Sequence, residues 1–433
     1  MIVNQFNTFP YGGAATAARR LHRQLLRQNV SSRFFYHIND KKLADESGFA
    51  QVEFAPPVTG FLDKLTGGKL EKRRRKRIHQ QYDTYLKDHN PGAELVALAE
   101  LPDQTRLCRE TYAADVVHLH WISFLADFPS FFGSIPDSVP IVWTLHDMNP
   151  LTGGCHYSDG CTRFVSSCGS CPQIRNANPS DLSKVTFQVK QRALRNKNLH
   201  IVTPSQWLLE LAEQSPVFPP ETTFQLIRLG FDLDEFQPVN KAEARRKLGI
   251  ESEACLIGFG AEDIRNKRKG FSHLLNSLPE VHTENPVECI VFGGGNIPES
   301  AELPPMHHMG FVSDIEKQAL IYSAADIVII PSREDNSPQV GLEAMACGTP
   351  VVGFNAGGIP EYVRDGETGL LAATGDESDL ANKISSLVDD PVLRKQLGSS
   401  ARSMMESEFE IGAQTEKYLE VYRSVSRTRR VAA

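Results

Sequence analysis

A chain of 433 residues, 41% hydrophobic and 23% charged, has the composition of an ordinary soluble globular protein. It is long enough for two or three domains, because single cores stop growing near ~250–300 residues. Its net charge of −7 argues against a nucleic-acid partner, whose binders are usually basic.

No run of ~18 apolar residues is present to span a bilayer. The opening stretch, Met1 to Phe9, lacks the basic segment and cleavage site of a signal peptide and reads as a strand. A cytoplasmic protein is therefore expected, with its eight cysteines kept as thiols or metal ligands rather than disulfides.

In chain order, Ile2–Phe6 is the first strand, and Gly12-Gly13 precedes a helix. That helix carries Ala14, Ala17, Ala18, Leu21 and Leu25 on one face, the i, i+3, i+4, i+7 spacing of a core-facing stripe. Strand, glycine pair and helix form either a ligand loop or a tight turn with no ligand. Arg33–Ile38 is the second strand. Lys69–Arg77, KLEKRRRKR, is the most basic stretch of the chain and opens a helix. It reads either as a solvated charged face or as a patch for an anionic leaflet, where each basic residue adds about 1 kcal/mol. Nucleic acid fits less well, since no aromatic residues are interleaved with the charges.

Asp115–Trp121, DVVHLHW, is a strand that puts His118 and His120 on one face, either in a site or in the core. An aromatic loop with Phe124, Phe128, Phe131 and Phe132 follows. Pro140–Leu145 is a strand ending in His146-Asp147, and the carboxyl end of a parallel strand is where ligands bind. Next comes GGCHYSDGCTRFVSSCGSCPQ, with Cys155, Cys161, Cys168 and Cys171 inside seventeen residues. Cys168-x2-Cys171 has the spacing that lets two thiolates hold one tetrahedral zinc, with Cys155 and Cys161 completing four, or His156 replacing one. Structural zinc, disulfides and free thiols all fit the pattern. Four protein ligands would leave no open position for catalysis.

Val185–Lys197 is a basic amphipathic helix, and Leu199–Pro204 is a strand leading into a helix capped by Ser205. Asp232-x-Asp234 is a pattern that binds a metal diphosphate in a different fold. A complete second α/β unit follows it here, which favours a linker. That unit begins with the strand Ala254–Gly260 and a basic loop holding Arg265, Arg268 and Lys269. Cations at a strand's carboxyl end would neutralise a diphosphate leaving group. Val287–Phe292 is a further strand, and Gly310-Phe311-Val312 a later loop segment.

The most informative stretch is Asp326–Val363. A buried apolar strand to Pro331 is followed by a polar loop, a short helix stopped by Gly348, and a second strand, Thr349–Phe354. Asp335 leaves the first strand and Glu343 lies in the first turns of the helix. Between them the helix N-terminus, at Gln339, Val340 and Gly341, offers free N–H groups for a phosphate. Gly341 has no side chain to keep an anion away from the backbone. Two carboxylates around a phosphate site make sense when each meets hydroxyls, one set on a sugar and the other on a ribose.

Asp335-x7-Glu343, followed by EAMACGTPVV and GGIPE, resembles the signature of the family-4 retaining glycosyltransferases, most strongly from Ile257 to Leu371. The resemblance implies a GT-B fold: two doubly wound Rossmann-like α/β domains facing a cleft. Residues 1–238 would bind the acceptor and carry the Cys-rich loop 153–173, and residues 239–412 would bind a nucleotide-sugar. A helix in 413–433 would cross back onto the first domain. By the same resemblance Asp335, where the family usually has Glu, and His146 of TLHD contact the donor sugar, and Glu343 binds the ribose. Lys269-Gly270 matches the family's phosphate-binding pattern, with Arg265 or Arg268 standing in for an arginine that Ala261 replaces. Val312 falls in the segment whose backbone reads the base, and Gly12 and Gly13 lie near donor and acceptor.

The Cys loop after TLHD makes the chain similar to the exopolysaccharide transferases of the colanic-acid type. The implied reaction moves a hexosyl group from a UDP- or GDP-sugar to a saccharide or lipid-linked acceptor, with retention and without a metal cofactor. Residues 69–77 would then touch the inner face of a membrane. A sugar-nucleotide epimerase or phosphorylase of the same fold, or a non-catalytic sugar-binding scaffold, are the alternatives.

Overall fold

The computed structural model describes the chain except residues 39, 41, 42, 44, 59, 61, 62, 64–67, 91, 299 and 433, and the side chains of 427–432. The chain divides into two compact units, Met1–Ile227 with Thr415–Ala433, and Arg228–Gln414.

The first unit is built on seven parallel strands: β1 (Ile2–Asn7), β2 (Ser31–Tyr36), β3 (Phe49–Gln51), β4 (Val116–Leu119), β5 (Ile141–Thr144), β6 (Leu199–Thr203) and β7 (Thr223–Leu226). Their order is β3-β2-β1-β4-β5-β6-β7. Central strands such as VVHL and IVWT are buried at every position, because helices cover both faces of a parallel sheet. The order reverses between β1 and β4. At such a switch point the loops leave in opposite directions and open a crevice at the strands' carboxyl ends.

The second unit repeats the plan with β8 (Cys255–Asp263), β9 (Val287–Gly294), β10 (Met306–His308), β11 (Ile327–Ile330), β12 (Val351–Phe354) and β13 (Gly369–Ala372). The order is β10-β9-β8-β11-β12-β13, again all parallel. Its switch point lies between β8 and β11.

The last helix, Ile411–Ala432, lays Tyr418, Leu419, Val421, Tyr422 and Val425 against Val3, Leu21, Val116, Val142 and Val202 of the first unit. The contacts divide the chain at Ile227/Arg228 rather than near residue 238. Phe231 is the reason: its N–H donates to the Phe409 carbonyl (2.8 Å), and its own carbonyl accepts from Ile411 N–H (3.1 Å).

Phe128–Ser134 is a helix, not a loop. Asp127 caps it by accepting from Ser130 N–H, and Phe128, Phe131 and Phe132 point into the core. The basic stretch opens the helix Lys69–Asp88. Three of its cations are tied down inside the first unit, Arg74 to Asp127 (2.7 Å), Arg75 to Asp103 (2.8 Å) and Arg77 to Glu100 (2.8 Å). Lys69, Lys72, Arg73 and Lys76 are exposed. Among the described residues no helix is long and apolar enough to cross a membrane.

Candidate active site

In the second unit the loops leaving β8 and β11 flank the switch point, and they are locked together. The β8 loop makes a 3-10 turn, Lys267–Lys269, whose cap Asn266 accepts from Arg268 N–H. It ends at Gly270 with φ +76°, where a Cβ would stand 1.8 Å from the Pro331 carbonyl oxygen. Only glycine permits that approach. Arg333 N–H donates to the Arg268 carbonyl (3.0 Å), and Arg268 Nη1 donates to the Glu334 carbonyl (2.9 Å).

This zipping delivers two cations to one buried carboxylate. Lys269 Nζ lies 2.7 Å and Arg268 Nη1 3.0 Å from Asp335 Oδ2, and Asp335 is 4% exposed. Burial alone would push its carboxyl up. The ammonium and guanidinium outweigh that, and it falls to about 2. The backbone of Asp335 is held from the other side by the glycine pair. Gly358 N–H donates to its carbonyl (2.8 Å), and at Gly357, φ +57°, a Cβ would come within 2.1 Å of that oxygen.

Of the two arginines the sequence leaves open, Arg268 is the one beside Lys269. Arg265 is tied to Asp263 (2.7 Å) and its side chain is 74% exposed, because its own loop offers a carboxylate two residues away.

The helix Gln339–Ala346 begins after Pro338, which supplies no side-chain cap; Gln339, Val340 and Gly341 form its first turn, and Gly341 N–H donates to the Pro338 carbonyl (3.2 Å). The reason for Gly341 differs from the sequence reading. A Cβ there would meet the Tyr362 hydroxyl at 2.9 Å and Ile330 Cγ1 at 3.3 Å, so the missing side chain makes room on the core side. Glu343 is 6% exposed and accepts from the Tyr322 hydroxyl (2.8 Å). Val312 is 7% exposed and its carbonyl accepts from Gln318 (2.9 Å), while Phe311 beside it is 65% exposed.

In the first unit Gly12 adopts φ 87° as the N-cap of the helix Gly13–Arg27. Half-buried His146 follows β5, with its Nε2 3.3 Å from His120 Nδ1. His120 Nε2 in turn lies 2.9 Å from Gln5 Oε1. His118 belongs to the core: its Nε2 pairs with Thr144 Oγ1 (2.8 Å) and its Nδ1 with the Tyr422 hydroxyl (2.7 Å). Burial pushes His118 down to about 3 and His146 to about 4. Both are neutral when folded.

The unfolded chain therefore binds more protons between pH 6.5 and those values, so this part of the stability is present above pH 6.5 and lost on acidification. His118→Gln is expected to cost ~1–3 kcal/mol at pH 8, with the gap to the parent narrowing toward pH 4. Denaturant titrations at both pH values check it, and a constant gap would rule out neutral burial as the cause.

Asp147 is the hub that sequence reasoning missed. Its Oδ2 accepts from Trp121 Nε1 and His156 Nδ1, each at 2.6 Å, and Oδ1 accepts from Asn149 N–H (2.8 Å). That bond takes His156 away from the thiols.

Cys155, Cys161, Cys168 and Cys171 line one cavity of about 20 Å³, room for a single water or ion. Burial pushes the Cys168 thiol up to about 11, while its sulfur accepts from Gly153 N–H (3.2 Å). Cys168, Gly169 and Ser170 all adopt positive φ. As the side chains lie, no three His, Cys, Asp or Glu among the described residues are placed to hold a metal ion. The expected four-thiolate centre is thus not assembled, and Asp232 and Asp234 form none either. Asp232 Oδ1 accepts from Asp234 N–H (3.2 Å) within their own turn. Beneath the loop, fully buried Lys190 donates to the carbonyls of Asn149 and Thr152.

Residues 255–390 match the family described as Glycosyl transferases group 1. The chain is 31% identical over 232 residues to a D-inositol 3-phosphate glycosyltransferase of Corynebacterium jeikeium, an alignment covering 49% of this chain and 54%, about half, of that relative. It is 28% identical over 364 residues to an alpha-maltose-1-phosphate synthase of Mycobacterium tuberculosis, covering 79% of this chain and 87% of the relative. Anabaena HepE in complex with UDP and glucose superposes with a TM-score of 0.63 at 17% identity, over 98% of this chain and 100% of that one. At that identity the likeness speaks for the fold alone.

Proposed function

We propose, for a protein whose residues 255–390 match the group 1 glycosyltransferases, that it moves a hexosyl group from a nucleotide diphosphate sugar to a saccharide or lipid-linked saccharide hydroxyl. The observation that carries this reading is the Lys269–Asp335–Arg268 cluster at the carboxyl edge of the second sheet. Asp335, kept ionised by two cations, is a ready acceptor for sugar hydroxyls. Lys269 and the N-terminus of the helix Gln339–Ala346 take up the charge that grows on the departing diphosphate, where preorganised donors lower the barrier. Glu343 turns from Tyr322 to the ribose. The family resemblance also gives His146 a contact to the donor sugar.

Retention follows from the family resemblance, and no metal ion enters this account of the chemistry. The donor reading is supported by the family match; the acceptor rests on the resemblance of the Cys loop and TLHD to exopolysaccharide transferases.

Thermal shift against UDP-, GDP- and ADP-sugars tests the donor half. One of them at 100 times its Kd should add ~2.7 kcal/mol of stability, and Glu343→Ala should abolish most of it. If no nucleotide-sugar stabilises the parent protein, the reading fails.

The Cys loop we read separately as a structural metal centre that closes around one zinc once its thiols ionise. The ion-sized cavity and the buried Lys190 charge beneath it support this. Metal analysis of the purified protein should find about one zinc per chain, and Cys171→Ser should lose it. Less than half an equivalent in the parent would leave the thiols free.

A further inference from the structure

The first sheet's switch point carries a feature the donor chemistry does not use. Four aromatic side chains from the loops after β1 and β4 form a continuous set there. Phe9 stacks on Tyr11 (5.4 Å between centroids) and meets Trp121 (5.3 Å), which meets Phe124 (5.9 Å). Tyr11 is 55% exposed, and Phe9, Trp121 and Phe124 are partly exposed. Phe128, Phe131 and Phe132, a few residues on, are buried in the core. One aromatic-rich stretch thus divides into a core part and a part left at the surface.

The set is held in place with more constraints than packing needs. Asn7 Oδ1 accepts from Trp121 N–H (2.9 Å), and Asn7 Nδ2 donates to the Phe9 carbonyl (2.7 Å). The Thr8 hydroxyl donates to the Ser123 carbonyl (2.7 Å). Asp147 fixes the far end of the indole through Nε1 (2.6 Å). Phe124 adopts φ +64°, a conformation costly for a bulky residue that persists only where its surroundings over-determine it. Behind Trp121, His156 stacks at 5.2 Å, and its buried Nε2 has no hydrogen-bond partner.

We propose that Phe9, Tyr11, Trp121 and Phe124 form the acceptor subsite, and that it takes a saccharide by the apolar face of a pyranose ring. The inference rests on the glycosyltransferase reading and narrows its acceptor. Pyranoses with equatorial hydroxyls present a patch of axial C–H bonds, which suits the electron-rich face of an aromatic ring. Their hydroxyl rim then meets the polar edge, where His146 lies at the end of β5. An indole fixed at both ends loses little freedom when a ring settles on it. A polyol phosphate would be held chiefly through its phosphate, and none of these four side chains carries a cation; an alkyl chain would not need their polar rim.

Saturation-transfer NMR on the full-length protein tests this with cellobiose, lactose, maltose and chitobiose, and with octanol and myo-inositol 1-phosphate as the competing chemistries. At least one disaccharide should receive saturation at its ring C–H protons, and Tyr11→Ala should weaken that binding tenfold or more while leaving the nucleotide-sugar thermal shift unchanged. Phe124→Gly should lose the saccharide signal with a melting temperature no lower than the parent's, since glycine suits that φ. A ring with a purely structural role would give the reverse. With the nucleotide response intact, absence of any disaccharide signal overturns the platform, as does a signal that Tyr11→Ala leaves unchanged, or octanol or inositol phosphate binding alone. A parent protein that ignores every nucleotide-sugar overturns the functional reading and this inference with it.

Discussion

Lys269→Ala is expected to lower kcat by ~10²–10³-fold while leaving the protein folded. The ammonium is half-buried at the carboxyl edge of β8, and nothing else in its 3-10 turn reaches Asp335 except Arg268. With Lys269 gone, Arg268 at 3.0 Å still compensates the buried carboxylate, so the second unit keeps its core. On the proposed reaction the loss falls on the charge that develops as the diphosphate leaves. KM for the donor should change less than kcat, because the interaction strengthens toward the transition state.

Asp335→Asn makes the complementary test. It leaves Arg268 and Lys269 facing each other without a counter-charge, and removing one partner of a buried ion pair costs ~3–5 kcal/mol. The Asp335 carboxyl is depressed to about 2. Its contribution to stability is therefore present above the ordinary carboxylate range and lost as the pH falls toward 2. Steady-state kinetics with whichever nucleotide-sugar stabilises the protein decides the matter. A kcat effect of less than tenfold in Lys269→Ala would remove the lysine from the chemistry.

The second large effect is expected at Lys190, far from this cluster in sequence and in the other unit. Its ammonium is fully buried, lies over the Phe128 ring (5.5 Å) and ties the carbonyls of Asn149 and Thr152 together under the Cys loop. Lys190→Ala takes its donor from the Thr152 carbonyl, leaves the Asn149 carbonyl only the longer bonds from Thr152 (3.2 and 3.3 Å), and opens a cavity, a loss of ~3 kcal/mol or more. For a unit of this size that corresponds to roughly 6–12 °C in melting temperature. Lys190→Met, which keeps the stem and removes only the charge, should fall between the two. Calorimetry checks both variants, and a melting temperature within about 2 °C of the parent's for Lys190→Ala would show that the loop is held by other means.

Much of the fold is legible in the chain itself. Runs such as Ile327–Ile330 and residues 141–143 are apolar at every position, which only a strand covered on both faces requires, and they alternate with helical stripes. Less visible are β3, β10 and β13, three or four residues each and too short for any periodicity. The helix Phe128–Ser134 reads as a loop until Asp127 is recognised as its cap.

At the candidate site, the acid-x7-acid spacing and the glycines of GGIPE mark the stretch in the sequence, and Gly357 and Gly358 hold the Asp335 backbone. Local pattern could not choose between Arg265 and Arg268. Which side chain reaches Asp335 depends on a turn pinned by Gly270 against Pro331, a contact across more than sixty residues. Nor could it separate His118 from His120 on one strand face, because Tyr422, the partner that claims His118, lies in the last helix.

What the sequence determined alone is therefore the alternation of elements, the doubly wound class and the stretch carrying the two acids, since periodicity and glycine placement are properties of neighbours in the chain. Tertiary structure decided which cation meets which carboxylate, which histidine is core, and that Asp147 fixes Trp121 and His156. These pairings join residues from different strands and loops. Their geometry exists only once the parallel sheets bring the carboxyl ends side by side.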